Sequence, residues 1–231
     1  MSTLFDLSPV TVAVKDSPQR YPVRRLYCVG RNYAEHAREM GQDPEREAPF
    51  FFTKWPDTVM PSGSVVPYPP ETANFHYEGE LVVAIGAPGR NLNAQKAREV
   101  VFGFACGLDM TRRDLQLAAR DKGRPWDAGK NFDHAAPLGL LHPLTETGWL
   151  EKGAITLAVN GTVKQKADLA DLIWSVEEII AILSRSYHLQ PGDLIYTGTP
   201  AGVGPVKPGD AIKVSIAGLS DLDVTIGEPA A

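Results

Sequence analysis

Apolar positions along this chain cluster in short runs that glycine, proline or acidic residues bring to an end. That spacing suits strands more often than helices. A strand is expected within Val10–Val14, and another from Arg24 to Val29, which Gly30 ends. A helix should follow, with Asn32 as its cap, Glu35 completing a capping box and Gly41 at its C-terminus. Gln42 to Pro49, charged and with two prolines, reads as a loop. Phe50-Phe51-Phe52-Thr53-Lys54 reads as a buried strand, and Pro56 to Pro70 as short strands and turns. Glu80 to Ile85 is strand, Pro88-Gly89-Arg90 a turn and Asn93 to Val100 a short helix.

Val101 to Asp109 has two unlike faces. Phe102, Phe104, Cys106 and Leu108 share one; Gly103, Ala105, Gly107 and Asp109 share the other, which is stripped of bulk so that a neighbour can approach. Thr111 is placed to cap a helix of about ten residues with Asp114 in its first turn. On it Arg113, Gln116 and Arg120 share a side. Ser175-x-x-Glu178 opens the clearest helix, in which Val176, Ile179, Ile180, Leu183 and Tyr187 keep the helical rhythm. Pro191-Gly192-Asp193 and Pro208-Gly209-Asp210 each lead into a strand, Leu194–Thr197 and Ala211–Ile216. Regular strand–helix alternation is missing. The fold class expected is α+β, β-rich, with a few flanking helices.

Glu78 and Glu80 interrupt this pattern. They lie in His76-Tyr77-Glu78-Gly79-Glu80-Leu81-Val82-Val83, where a strand sends both carboxylates to one face. Asp109 ends the other apolar run. Two carboxylates about 4 Å apart repel by roughly 4 kcal/mol at an effective dielectric of 20. A divalent cation reverses that sign, and oxygen-only ligands suit Mg²⁺, Mn²⁺ or Ca²⁺ better than Zn²⁺. Taken alone, Glu-x-Glu is equally a solvated strand face.

The 231 residues are enough for a sizeable core, and a net charge of -5 with no basic stripe gives no reason to expect nucleic acid. Cys28 and Cys106 sit in apolar runs and read as buried thiols. The first residues carry no basic region or long apolar run, so no secretory signal is expected, and no stretch is long enough to cross a bilayer. A cytoplasmic enzyme is expected, with residues 1–20 as a leader segment and 21–228 as a single catalytic domain.

His36 and Glu39 lie three apart, on one face of their helix, where a carboxylate can hold an imidazole as a base; a surface ion pair has the same spacing. Lys130, beside Gly129, could neutralise an enolate or carboxylate, or be solvated. Thr197-Gly198-Thr199-Pro200-Ala201-Gly202-Val203-Gly204 follows a strand and can offer backbone N–H groups to an anion, though it lacks the P-loop pattern and serves equally as a turn.

Together these segments make five ordered blocks: Val29-Gly30-Arg31-Asn32-Tyr33 with His36; His76-Tyr77-Glu78-Gly79-Glu80; Leu108-Asp109-Met110-Thr111 with Arg113; Gly129-Lys130-Asn131-Phe132; and Thr197 to Gly204. In this order they resemble the fumarylacetoacetate hydrolase family, across nearly the whole chain. Arg20 to Arg25 and Pro49 to Lys54 are similar to the fumarylpyruvate hydrolases of gentisate breakdown, among the short acylpyruvate hydrolases. The resemblance implies a mixed β-roll, a homodimer and Mg²⁺ or Mn²⁺ held by Glu78, Glu80 and Asp109. It assigns His36 and Glu39 to water activation and Lys130 to enolate stabilisation. It places Arg113 and Gln116 near a small anionic 2-oxo acid and Thr199 at its carboxylate end. Gly79 stands where the family often has a bulkier apolar residue.

The reaction so implied is hydrolysis of a carbon–carbon bond in a 2,4-dioxo acid, with fumarylpyruvate giving fumarate and pyruvate. Oxaloacetate decarboxylation and 2-oxo acid tautomerisation are rivals on the same site. A β-rich binding protein with a structural cation is the non-enzymatic rival. A dianionic substrate needs a second basic anchor, for which Arg31 and Arg112 are candidates.

Overall fold

The computed structural model describes Leu4, residues 7–40 and residues 47–229. Gly41, the expected helix terminus, and residues 42–46 of the expected loop lie outside the described residues. In chain order the first elements are β1 (Thr11–Ala13), β2 (Arg20–Pro22), β3 (Arg25–Gly30), α1 (Ala34–Glu39), β4 (Phe50–Lys54), β5 (Val59–Pro61), β6 (Val65–Tyr68), β7 (Phe75–Tyr77) and β8 (Gly79–Ile85). Then come α2 (Ala94–Glu99), β9 (Val101–Leu108), β10 (Thr111–Arg112), α3 (Arg113–Asp121), α4 (Asp127–Lys130), β11 (Ala136–Leu138), β12 (His142–Pro143) and α5 (Leu144–Thr147). The last part holds β13 (Ala154–Val159), β14 (Thr162–Asp168), α6 (Val176–Ser186), β15 (Asp193–Tyr196), β16 (Gly204–Pro205), β17 (Ala211–Ile216) and β18 (Leu222–Pro229).

The architecture is β-rich with few helices. Its main sheet runs β4-β3-β15-β8-β9-β11-β5, with β12 also on β9. β15 is parallel to β3 and antiparallel to β8. A second sheet runs β14-β13-β17-β18-β6, and a small one β10-β7-β16. The main sheet is covered on both faces, which is why β8 reads as an unbroken apolar run. Leu81, Val83 and Ile195 enter the larger core, against Ile155, Leu157 and Val214 of the second sheet and Ile179 and Ile180 of α6. Val82, Ala84 and Leu194 enter the smaller core, with Val12, Val14 and Tyr21. No described helix is long and apolar enough to cross a membrane.

Several local expectations need correction. Residue 20, the expected boundary between leader and domain, falls inside a paired element. The β1–β2 hairpin straddles residue 20 and buries Val12 and Val14. Phe50–Lys54 is an edge strand of the sheet, half-exposed except at Lys54. Asn32 does not cap α1, whose cap position is Tyr33 with no side-chain bond. Fully buried, Asn32 instead donates to the Trp174 and Thr197 carbonyls and accepts from Trp174 N. Glu35 pairs with Arg38 rather than closing a capping box. Thr111 lies in β10 and gives its hydroxyl to Asp109 O, so α3 starts without it. Phe102 leaves the face expected for it. Two steps of β9, from Val101 to Gly103, oppose one step of β8, and Phe102 packs on the smaller core against Tyr21. That is a β-bulge. The α6 capping box, both buried cysteines and the stripped face of β9 are as expected. A Cβ on Gly107 would meet Val82 Cγ2 at 2.4 Å and the Tyr196 ring at 2.8 Å.

Candidate active site

Strand direction gathers the site at one end of the main sheet. β3, β15 and β9 finish there and β8 begins there, with Tyr196 opposite Val82 and Glu80 opposite Gly107. Glu78 occupies the break between β7 and β8, which belong to different sheets, so no single strand carries both glutamates. The break is pinned where Asp109 N donates to Glu78 O at 2.9 Å. Glu78, Glu80 and Asp109 are buried, and one oxygen from each lies within 4.8 Å of the others.

Charge accounting distinguishes the three. Glu78 is held by Arg113 at 2.5 Å and Lys130 at 2.6 Å. Asp109 has Lys130 at 2.8 Å on Oδ2 and Lys54 at 2.8 Å on Oδ1. The Lys54 contact is an ion pair without hydrogen-bond alignment, so Oδ1 stays a buried acceptor with no donor. Glu80 pairs with no cation among the described residues and accepts from Gly198 N at 2.7 Å. Burial, then Asp109 and Glu78, push Glu80 well above the usual carboxylate range. Burial works the same way on Glu78, but Lys130 and Arg113 outweigh it and hold that carboxyl low. A hard divalent cation fits this set. It would be met by three buried carboxylate oxygens, one orphaned and one from a carboxyl that is costly to ionise without a cation.

Lys130, at the end of α4, spends its protons on Glu78, Asp109 and Thr111 Oγ1. Burial opposes its charge; Asp109 and Glu78 outweigh that and raise its pKa. His36, on α1, is buried, with Nδ1 3.1 Å from Glu39 Oε2. Both Glu39 oxygens accept from Gly202 N at 3.1 Å. Burial would raise Glu39, but the His36 bond and the Gly202 N–H prevail and lower it.

A narrow chamber is lined by Arg31, His36, Glu78, Glu80, Arg113, Gln116, Lys130 and Thr199. Glu39 and Asp109 do not line it: Glu39 lies behind His36, and Asp109 lies behind Lys130 beside the two glutamates. Gln116 Oε1 accepts from Arg113, so its amide nitrogen is the donor left for a ligand. Thr199 gives its proton to Gly79 O and accepts from Gln165 Nε2. Its hydroxyl therefore presents an acceptor, not the donor expected toward a carboxylate. Arg31 takes a left-handed backbone (φ 59°) between β3 and α1, a conformation that bulky residues rarely hold without purpose. Arg112 lies outside the chamber, over the Phe132 ring at 4.3 Å.

Two buried groups here went unread in the sequence. Lys54 ends an apolar run just as Asp109 does, and that is its one signal. Gln165 reaches over from β14, accepts from Gly79 N at 2.9 Å and donates to Thr199 and Pro200 O. A Cβ on Gly79 would sit 3.1 Å from Leu157 Cδ1 and 3.4 Å from Gln165 Oε1, which explains the small residue there.

Known proteins bear on this geometry. The family model described as fumarylacetoacetate (FAA) hydrolase C-terminal matches residues 25–227. A fumarylpyruvate hydrolase of a Ralstonia species is 53% identical over 185 residues, 80% of this chain and 96% of that protein. A mitochondrial oxaloacetate decarboxylase of Dictyostelium discoideum is 40% identical over 87% of this chain and 92% of its own. The crystal structure of fumarylpyruvate hydrolase from Pseudomonas aeruginosa in complex with Mn²⁺ and pyruvate superposes with a TM-score of 0.96 at 50% identity, covering 98% of this chain and 100% of that one. On this evidence the chain belongs to the fumarylacetoacetate hydrolase family.

Proposed function

We propose that this protein hydrolyses acylpyruvates, with fumarylpyruvate and water giving fumarate and pyruvate. The observation that carries the reading is a buried histidine, oriented by a carboxylate, on the same chamber as a buried acid triplet. Glu78, Glu80 and Asp109 would hold Mg²⁺ or Mn²⁺. When bound, that cation supplies Lewis-acid polarisation and stabilises enolate charge at the 2-oxo acid end.

The chain's own groups do the rest. Glu39 accepts from His36 Nδ1–H, leaving Nε2 as the base. His36 Nε2 takes a proton from water, whose oxygen attacks the acyl carbonyl carbon. The bond from that carbon to the pyruvyl methylene breaks, and its electron pair passes into the pyruvate enolate. His36 then returns a proton to the methylene carbon, completing pyruvate. Lys130, its protons already engaged, contributes positive charge through space. Gln116 Nε2 and the Arg113 guanidinium orient the 2-oxo carboxylate. The finer reading is of a cytoplasmic homodimer in gentisate breakdown.

Oxaloacetate decarboxylation is the second reading, favoured by the 40% identity to a decarboxylase. It has no water to deprotonate, so His36 separates the two. His36→Gln should lower fumarylpyruvate hydrolysis about 10²–10⁴-fold, followed by loss of the enol absorbance, with Mn²⁺ affinity kept. An equal fall in Mn²⁺ affinity would make His36 a ligand instead. Wild-type protein that releases CO₂ from oxaloacetate yet leaves fumarylpyruvate intact would establish the second reading.

A further inference from the structure

The narrow chamber adjoins a larger cavity. The first encloses about 30 Å³ and the second about 560 Å³. Arg31, Phe52, Arg120, Trp126 and Lys130 line both, so they bound any passage between the two spaces. Among the described residues the outer cavity adds Arg124, and its acidic lining is Asp127. The described lining carries a local excess of positive charge on a chain whose net charge is -5. Its wall is aromatic. Phe50 meets Trp126 edge-on with ring centres 5.1 Å apart, Phe52 lies 5.7 Å from Trp126, and the Arg31 guanidinium covers Phe50 at 5.3 Å.

α3 spans the two spaces. Arg113, Gln116, Leu117 and Arg120 share one face of it. Arg113 and Gln116 sit at the acid triplet; Arg120 lies two turns further, about 10 Å along the axis. That separation suits two anionic ends of one extended ligand and exceeds what pyruvate alone can bridge. The two arginines are occupied differently. Arg113 is buried and committed to Glu78 and Gln116. Arg120 is one-third exposed and held by Asp121, itself 65% exposed, through Nε and Nη2. Such a solvated pair rearranges at little cost.

We propose that Arg120, with Arg31 across the passage, receives a carboxylate at the far end of the acyl group. The flat conjugated segment before it would lie along Phe52 and Trp126. The site thereby selects acylpyruvates that end in an anion over those that end in methyl. The inference rests on the acylpyruvate reading above and adds the residue that sets acyl preference.

The test compares kcat/KM for fumarylpyruvate with that for acetylpyruvate, in wild type, Arg120→Gln and Arg120→Lys, all with Mn²⁺. A charge-assisted contact of this kind is worth about 10- to 100-fold. Arg120→Gln should lower the fumarylpyruvate/acetylpyruvate ratio by that factor, mostly through KM for fumarylpyruvate, and Arg120→Lys should recover part of it. A ratio unchanged in Arg120→Gln, or a loss shared equally by both substrates, overturns the assignment. Wild type that cleaves neither substrate overturns the acylpyruvate reading itself, a result distinct from an unchanged ratio.

Discussion

Asp109 lies between two lysines, one on each oxygen, while Glu80, its neighbour in the triplet, has none among the described residues. This asymmetry makes Glu80 the member whose ionisation depends most on a bound cation. Its carboxyl is raised above the ordinary 4.5 by burial and by the other two acids. In the metal-free protein, folding therefore holds a proton that the unfolded chain releases above pH 4.5. Glu80's contribution to stability is present below that pH and is lost as pH rises toward its folded pKa. Metal binding must expel the proton. Mn²⁺ affinity should thus climb with pH, by up to roughly tenfold per unit while one proton is displaced. Calorimetric titrations at pH 5.5 to 7.5, in buffers of different ionisation heat, would count that proton. An affinity flat across the range, with no buffer dependence, would contradict the assignment. The acids and His36 are legible in the sequence because charge inside an apolar run is conspicuous, and because His36 and Glu39 share a helix face. Lys54 carries the same mark, yet a lysine closing a strand is ordinarily solvated along its stem. Its burial and its contacts with Asp109, Met110 O and Lys130 O show otherwise.

At the level of elements, local pattern told where strands and helices lie better than what their polar ends do. Ser175 caps α6 as its spacing demands, its hydroxyl accepting from Glu178 N and its own N–H held by the Glu178 carboxylate. Asn32 and Thr111 have equally good capping chemistry, but each is buried and claimed elsewhere: by Trp174 and Thr197, and by Asp109 and Lys130. The bulge at Phe102 could not be read from β9 alone, because it is defined against β8. Gln165 is the sharpest case. Nothing near it in the chain marks it, yet it joins β14 to the turn between the two glutamates and to the loop after β15. Gln165→Leu keeps the bulk and removes all three bonds, leaving Gly79 N–H buried without an acceptor. Each group so stranded costs about 1–3 kcal/mol. Thermal unfolding should fall by several degrees, and KM for the 2-oxo acid should rise as Thr199 loses its tie. Unchanged Tm and KM together would show that the bridge carries no strain and positions nothing.

The order of the main sheet is a property of the whole molecule. β15, from residues 193–196, inserts between β3 and β8, and no local signal announces a pairing so distant in the chain. What the sequence does show is the consequence, strands apolar on both faces. Both cores must then be complete, and the smaller one recruits the N-terminal hairpin. Val12 and Val14 are buried in it. Lys15 N and Leu141 N exchange backbone bonds with Leu141 O and Ala13 O, and Val23 N donates to Val10 O. Leu4 and Leu7, by contrast, are 94% and 91% exposed. Two truncations separate these contributions. Removing residues 2–8 should leave the unfolding temperature nearly unchanged. Removing residues 2–19 takes two buried valines, worth about 3–6 kcal/mol together. At roughly 2–4 °C per kcal/mol for a chain of this size, Tm should drop by about 6–24 °C. The two truncated proteins would be compared by calorimetry with and without Mn²⁺. If both melt alike, the hairpin only lies on the sheet, and the catalytic domain begins after it.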